Sequence, residues 1–181
     1  MKRIVLRFGL ASGFLLIALS AVMMPLCMNQ SFDHMEVMGY SAMVLAFLFV
    51  FFGVRSYRDN VAAGAIGFGK AVQVGLLITL ITCAMYVIAW EISYYNFFPD
   101  FLDQYSAHVL ERMRAAGESE AAIRETTAQM AEMAKYYANP LYNAGITFME
   151  VFPVGLIVTL VSAAILRRKP GRAAPAGAVT A

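Results

Sequence analysis

Residues 71–90 read AVQVGLLITLITCAMYVIAW, a run without one charged side chain. A helix built from it carries apolar side chains on every face, so in water it would need cover all round. In a bilayer it is sufficient by itself. About 20 mainly apolar residues span the ~30 Å hydrocarbon layer, and a helix satisfies each backbone polar group within the segment.

Working outward, three further stretches have the same character. Residues 8–28 and 37–54 carry no charge, and residues 141–166 carry only Glu150. Composition points the same way: 60% of the chain is apolar and 14% charged, with the charges gathered into blocks between long uncharged runs. A net charge of +2, scattered in this manner, excludes the concentrated basic face that a nucleic-acid partner requires. Aromatic residues Trp90, Tyr94, Tyr95, Phe97 and Phe98 cluster where the third stretch ends, and Tyr136, Tyr137 and Tyr142 precede the fourth. Amphipathic rings settle at membrane interfaces, so both clusters mark the outer boundary.

The fold expected is therefore all-α: a four-helix transmembrane bundle with a helical extramembrane insertion between spans three and four. Residues 1–169 form the membrane domain, including a periplasmic helical segment at 96–140. Residues 170–181, rich in Ala, Pro and Gly, form a disordered cytoplasmic tail.

Basic residues flanking spans are retained in the cytoplasm. Lys2, Arg3 and Arg7 precede span one; Arg55, Arg58 and Lys70 separate spans two and three; Arg167, Arg168, Lys169 and Arg172 follow span four. With four crossings these all fall on one side, which places both termini inside. Asp33 and Glu36, and a surplus of acids in the longer loop, fall outside. The stretch Met1 to Ser20 also has the outline of a secretory signal, with Ala18 and Ser20 as a cleavage site. Its apolar run continues through Val22, Met23 and Met24 to Cys27, longer than a signal core, and it is read as a span. Leu26 stands where a lipoprotein site would need a small residue.

Between residues 96 and 140 the pattern becomes that of a helix with water on one side. Phe98, Phe101, Leu102, Tyr105, Val109 and Met113 recur at steps of three and four. Gly117 interrupts the pattern. Ser119 then caps a second helix with Glu120 in its first turn, and Ile123, Thr127, Met130, Ala134 and Tyr137 make its stripe. Asn139 and Pro140 end it. The two stripes either cover each other and the membrane surface or provide a docking surface for another protein.

The stretch 52–60, FGVRSYRDN, followed by 64–71, GAIGFGKA, resembles the hallmark of a family of bacterial membrane proteins known as domain of unknown function 4199. Residues 147–169, TFMEVFPVGLIVTLVSAAILRRK, are similar to that family's closing segment. The resemblance runs from the first span to the last. It implies a bacterial inner-membrane protein and brings no activity and no catalytic residues.

Residues 64–70 satisfy the spacing of a phosphate-binding loop, but Ala71 replaces its Ser or Thr and no strand precedes it. They are read instead as a glycine turn into span three, with Lys70 at headgroup depth. Arg55, Arg58 and Lys70 are the candidate cytoplasmic contact. Of the acids, Glu91 ends span three, and Glu150 lies about 16 residues, or ~24 Å of helix, from the inner end of span four. An ionisable group within a span is a candidate site for a proton or cation. Pro153 adds a freed carbonyl in the turn beside Glu150. The alternative is a carboxyl that is protonated, or hydrogen-bonded to Asn143, Thr147 or Tyr94, and locks the helices together.

Met23, Met24, Cys27, Met28, His34, Met35 and Met38 gather soft ligands suited to Cu(I), yet their spacing forms no compact motif and methionine commonly fills helix interfaces. No metal and no cofactor is expected. Cys27 and Cys83 lie at different depths and are read as packing residues rather than a disulfide, and His108 as a solvated side chain. No nucleophile triad or paired-carboxylate spacing favours hydrolysis. Small residues recur every four positions: Gly9 and Gly13; Ala71, Gly75, Thr79 and Cys83; Gly155, Thr159 and Ala163. Such stripes bring helix backbones close, within one chain or across a homodimer. The leading expectation is a non-enzymatic protein that contacts lipid and a membrane or periplasmic partner. The competing one is an oligomeric proton- or cation-coupled carrier using Glu150 and Glu91.

Overall fold

The computed structural model describes residues 1–30 and 35–168, without the side chains of 27–30. Asp33, His34, the side chains of Cys27 and Met28, Lys169, Arg172 and the tail lie outside the described residues.

Six helices follow in order: α1 (Lys2–Gln30), α2 (Met35–Asn60), α3 (Phe68–Asn96), α4 (Phe101–Ala115), α5 (Glu120–Tyr137) and α6 (Pro140–Leu166). The protein is all-α, and α1, α2, α3 and α6 are long and apolar enough to cross a membrane. Each helix outruns its uncharged stretch. Polar residues at a span end do not stop a helix, whose backbone bonds are made internally whether lipid or water surrounds it. Thus α1 begins at Lys2 and α2 continues through Arg58 to Asn60.

Breaks fall where the local chemistry requires them. Between α2 and α3, Ala63 and Gly64 take φ of 50° and 81°, so the glycine-rich stretch is a turn and α3 resumes at Phe68. Gly117 at φ 74° separates α4 from α5, a conformation that a side chain disfavours. Ser119 Oγ accepts from the Ala122 amide to cap α5. Asn139 caps α6 by accepting from Leu141, and Pro140 occupies the first turn, where no amide donor is needed. Pro153 lies inside α6, which continues through it to Leu166.

The four long helices form a ring in the order α1, α2, α6, α3, with α2 and α3 also touching across the centre. Their mutual packing is set by the small residues. A Cβ on Gly75 would lie 2.8 Å from Thr159 Cγ2, and one on Gly155 would lie 2.5 Å from Thr79 Cγ2. Two glycine–threonine pairs thus interlock reciprocally between antiparallel helices. The Thr79 and Thr159 hydroxyls meet at 3.0 Å between them. Gly9 and Gly13 seat α1 against Ile81 and Met85 of α3. Ser12 donates to the Ala46 carbonyl at 2.8 Å, tying α1 to α2. Ala71, Cys83 and Ala163 are fully buried, so the stripes are used within the chain.

Around this seam Phe47, Val50, Ile78 and Val151 are wholly enclosed. Outside it, Phe14, Val44, Leu45, Ile88, Ile157 and Ile165 are exposed. An apolar perimeter this extensive is what lipid covers.

Candidate functional site

The ends of the ring differ in chemistry. At one end α3 and α6 carry the aromatic clusters, and α4 and α5 pack there as a hairpin. Phe101, Leu102 and Ile123 are buried, so the stripes cover each other in part; Thr127 is exposed, its hydroxyl donating to the Ile123 carbonyl at 2.7 Å. Trp90 lies edge-on to Phe101 with ring centroids 5.7 Å apart, and Tyr94 lies 5.9 Å from both Trp90 and Tyr137. Tyr95 Oη donates to the Tyr137 carbonyl at 2.7 Å. Burial pushes the Tyr137 phenol above its ordinary range, and the nearby Glu150 charge adds to the effect.

Beneath this lattice Asn143 is completely buried on α6. Its Oδ1 accepts from Trp90 Nε1 at 3.0 Å and from Thr147 Oγ1 at 3.4 Å. Its Nδ2 has no partner among the described residues. An amide held this way orients α3 against α6 at the point where the α4–α5 hairpin joins them.

Glu150 lies on α6 one turn beyond Thr147, on the flank of the buried row that includes Asn143, Thr147, Val151 and Gly155. It is exposed, with no hydrogen bond to Asn143, Thr147 or Tyr94. The hydrogen-bonded lock is therefore made by Trp90, Asn143 and Thr147 rather than by the acid. Glu36, at the start of α2, lies at the same end of the ring. Glu91 is half-buried, and its Oε1 has no partner among the described residues. The two acids are thus on one end of the ring without forming a pair.

At the opposite end, α1 begins, α2 ends, α3 begins and α6 ends. The Arg168 amide donates to the Ile66 carbonyl at 2.9 Å, fixing the α2–α3 turn to the end of α6. Arg58 Nε bonds Asp59 at 2.7 Å, and Arg55 approaches the same carboxylate at 3.7 Å. Lys70 donates to Gln73 at 2.9 Å, within its own helix. The glycine turn is followed by a membrane-length helix, α3, and not by a nucleotide fold. Lys2, Arg3 and Arg7 form no ion pair with a described residue, and they border a cleft with Ser56 and Asn60.

The Trp90–Asn143 bond and the Asp59 clamp are structural features that residue spacing did not single out. The signal for Asn143 was available: it begins the four-residue row that continues through Thr147, Val151, Gly155 and Thr159. Cys83 is a free, buried thiol, consistent with packing. Among the described residues no group of three or more His, Cys, Asp and Glu side chains could hold a metal ion.

These features define a polytopic all-α protein with four membrane-length helices and an extramembrane helical pair between the third and fourth. The chain belongs to the family described as Protein of unknown function (DUF4199), whose model matches residues 7–168. The match includes both the 52–71 stretch and the closing helix. No curated protein and no solved structure matches the chain.

Proposed function

We propose that the protein is a non-enzymatic, multi-pass component of a bacterial inner membrane. Both termini lie in the cytoplasm, and the α4–α5 pair docks a membrane or periplasmic partner. The supporting observation is the apolar and aromatic surface left uncovered beside the hairpin. Leu141 is 85% exposed, and Tyr136 and Tyr142, with rings 5.3 Å apart, are also exposed, together with Met133. The hairpin is tied to α3 by Phe101 against Trp90 and by Tyr137 against Tyr94, so this surface is presented on a support. Aromatic anchors on a rigid scaffold are the usual core of a protein interface. The basic face at the opposite end of the ring contacts lipid headgroups.

A photo-crosslinking residue at Tyr136 in cells should yield a discrete protein adduct, and the same residue at Arg124 should not. Lipid adducts alone at Tyr136 would reduce the hairpin to a membrane-surface cover.

A second reading is a proton- or cation-coupled carrier. It is favoured by Glu150, exposed and without a hydrogen bond among the described residues, and by the Glu91 oxygen that has no partner among them. Phe47, Val50, Ile78 and Val151 fill the centre of the ring, so this reading places the path between two copies of the chain. Glu150→Gln should then abolish proton or cation flux in liposomes while leaving folding intact. Equal flux from the parent and the variant removes it.

A further inference from the structure

The first two turns of α1 and the last turn of α2 border an open cleft of about 600 Å³. Lys2, Arg3 and Arg7 line it beside Ser56 and Asn60, while Ile4 and Val61 supply apolar wall. Its size lies within the ~300–1,000 Å³ typical of small-ligand sites.

The cations here differ from those of the neighbouring turn. Asp59 is the one acid between residues 55 and 70, and Arg55 and Arg58 both use it. Lys2, Arg3 and Arg7 have no such neutralisation among the described residues. Arg3 and Arg7, four residues apart, project from one side of α1. Asn60 Nδ2 donates to Ser56 Oγ at 3.2 Å, and the hydroxyl that accepts this bond retains its own proton to donate. The wall therefore offers two guanidinium forks, an ammonium and a hydroxyl, with no carboxylate among its lining residues. Guanidinium forks match the oxygen geometry of phosphate, and Arg7 stands where the apolar stretch of α1 begins.

We propose that this cleft binds a phosphate anion, carried by the head group of an anionic phospholipid or free in solution. The proposal deepens the reading of the basic face as a lipid contact and rests on that reading only for its depth in the membrane. It assigns the contact to Lys2, Arg3 and Arg7 rather than to Arg55 and Arg58.

The test uses the full chain purified in detergent, where insertion direction no longer matters. Native mass spectrometry should show phosphatidylglycerol retained in preference to phosphatidylcholine. The combined Lys2→Gln, Arg3→Gln and Arg7→Gln variant should weaken retention at least about tenfold. Ser56→Leu, which fills the cleft without changing charge, should also weaken it, with circular dichroism confirming that both variants remain helical. Arg55→Gln with Arg58→Gln should bind as the parent does. Millimolar inorganic phosphate that binds without any lipid retention would identify free phosphate as the source; lipid retention unaffected by phosphate would identify the headgroup. The proposal is overturned if neither ligand distinguishes the triple variant from the parent, or if the Arg55 and Arg58 variant loses as much. The Tyr136 cross-link reads the opposite end of the molecule, so either result can fail alone.

Discussion

The ring of long helices and the α4–α5 hairpin are built by opposite means. In the ring, association cannot draw on the hydrophobic effect, because lipid tails are as apolar as the side chains they would replace. Its contacts depend on missing side chains, as where Gly75 and Gly155 admit Thr159 and Thr79. The hairpin meets water and is held by large ones: Trp90, Phe101, Tyr94 and Tyr137 in a connected set. Close approach leaves the ring little room to adjust, whereas ring stacking on an amphipathic pair tolerates local change. The chain thus joins a bundle packed through small residues to a hairpin held by large aromatic ones.

The largest expected effect follows from the first half of that contrast. Gly155→Leu would drive side-chain atoms into Thr79 and Phe47, and should destabilise the ring by ~3 kcal/mol or more, read as early loss of helix on heating in detergent. Gly145, on the same helix, has nothing within 4 Å of a built Cβ. Gly145→Ala should be neutral, or stabilising by up to ~1 kcal/mol through helix propensity. Equal damage from both would mean that helix flexibility, not close packing, is what the glycines supply.

An intermediate effect is expected at the joint between the two parts. Trp90→Phe keeps the ring contacts and removes the donor to Asn143, which retains its bond from Thr147. The loss should be about 1 kcal/mol, and hydrogen exchange should increase in both the outer ends of α3 and α6 and the hairpin. The smallest effect belongs to the hairpin alone. Ser119→Ala removes the α5 cap and should cost about 1 kcal/mol locally, with faster exchange at residues 120–123 and an unchanged melting temperature for the ring.

The sequence made legible whatever depends on neighbours along the chain. Uncharged runs located the four long helices, Gly117 and Ser119 located the hairpin turn, and Asn139 with Pro140 located the start of α6. Four-residue rows of small side chains identified the packing faces. The ring order was not legible, since nothing in α2 says that it will lie beside α6 as well as α1. For the same reason the lock at Asn143 was assigned to Glu150: both lie on α6, and only the placement of Trp90 from α3 decides between them. Asp59 beside Arg58 is adjacent in sequence, but its effect on Arg55 depends on helix continuing to Asn60, past the end of the apolar run. The cleft at Lys2, Arg3 and Arg7 required α1 and α2 to be brought together.

The central claim, that lipid covers the exposed apolar faces of the ring, is tested most directly by thiol labelling in native membranes. In a parent carrying Cys27→Ser and Cys83→Ala, single cysteines at Leu160, on the outer face of the ring, and at Ser119, in the hairpin turn, are offered a water-soluble maleimide. Both positions are exposed in the structure, so both would react if water surrounded them. The account predicts labelling at position 119 and none at 160 until the membrane is dissolved. Rapid labelling at 160 in intact membranes would contradict it.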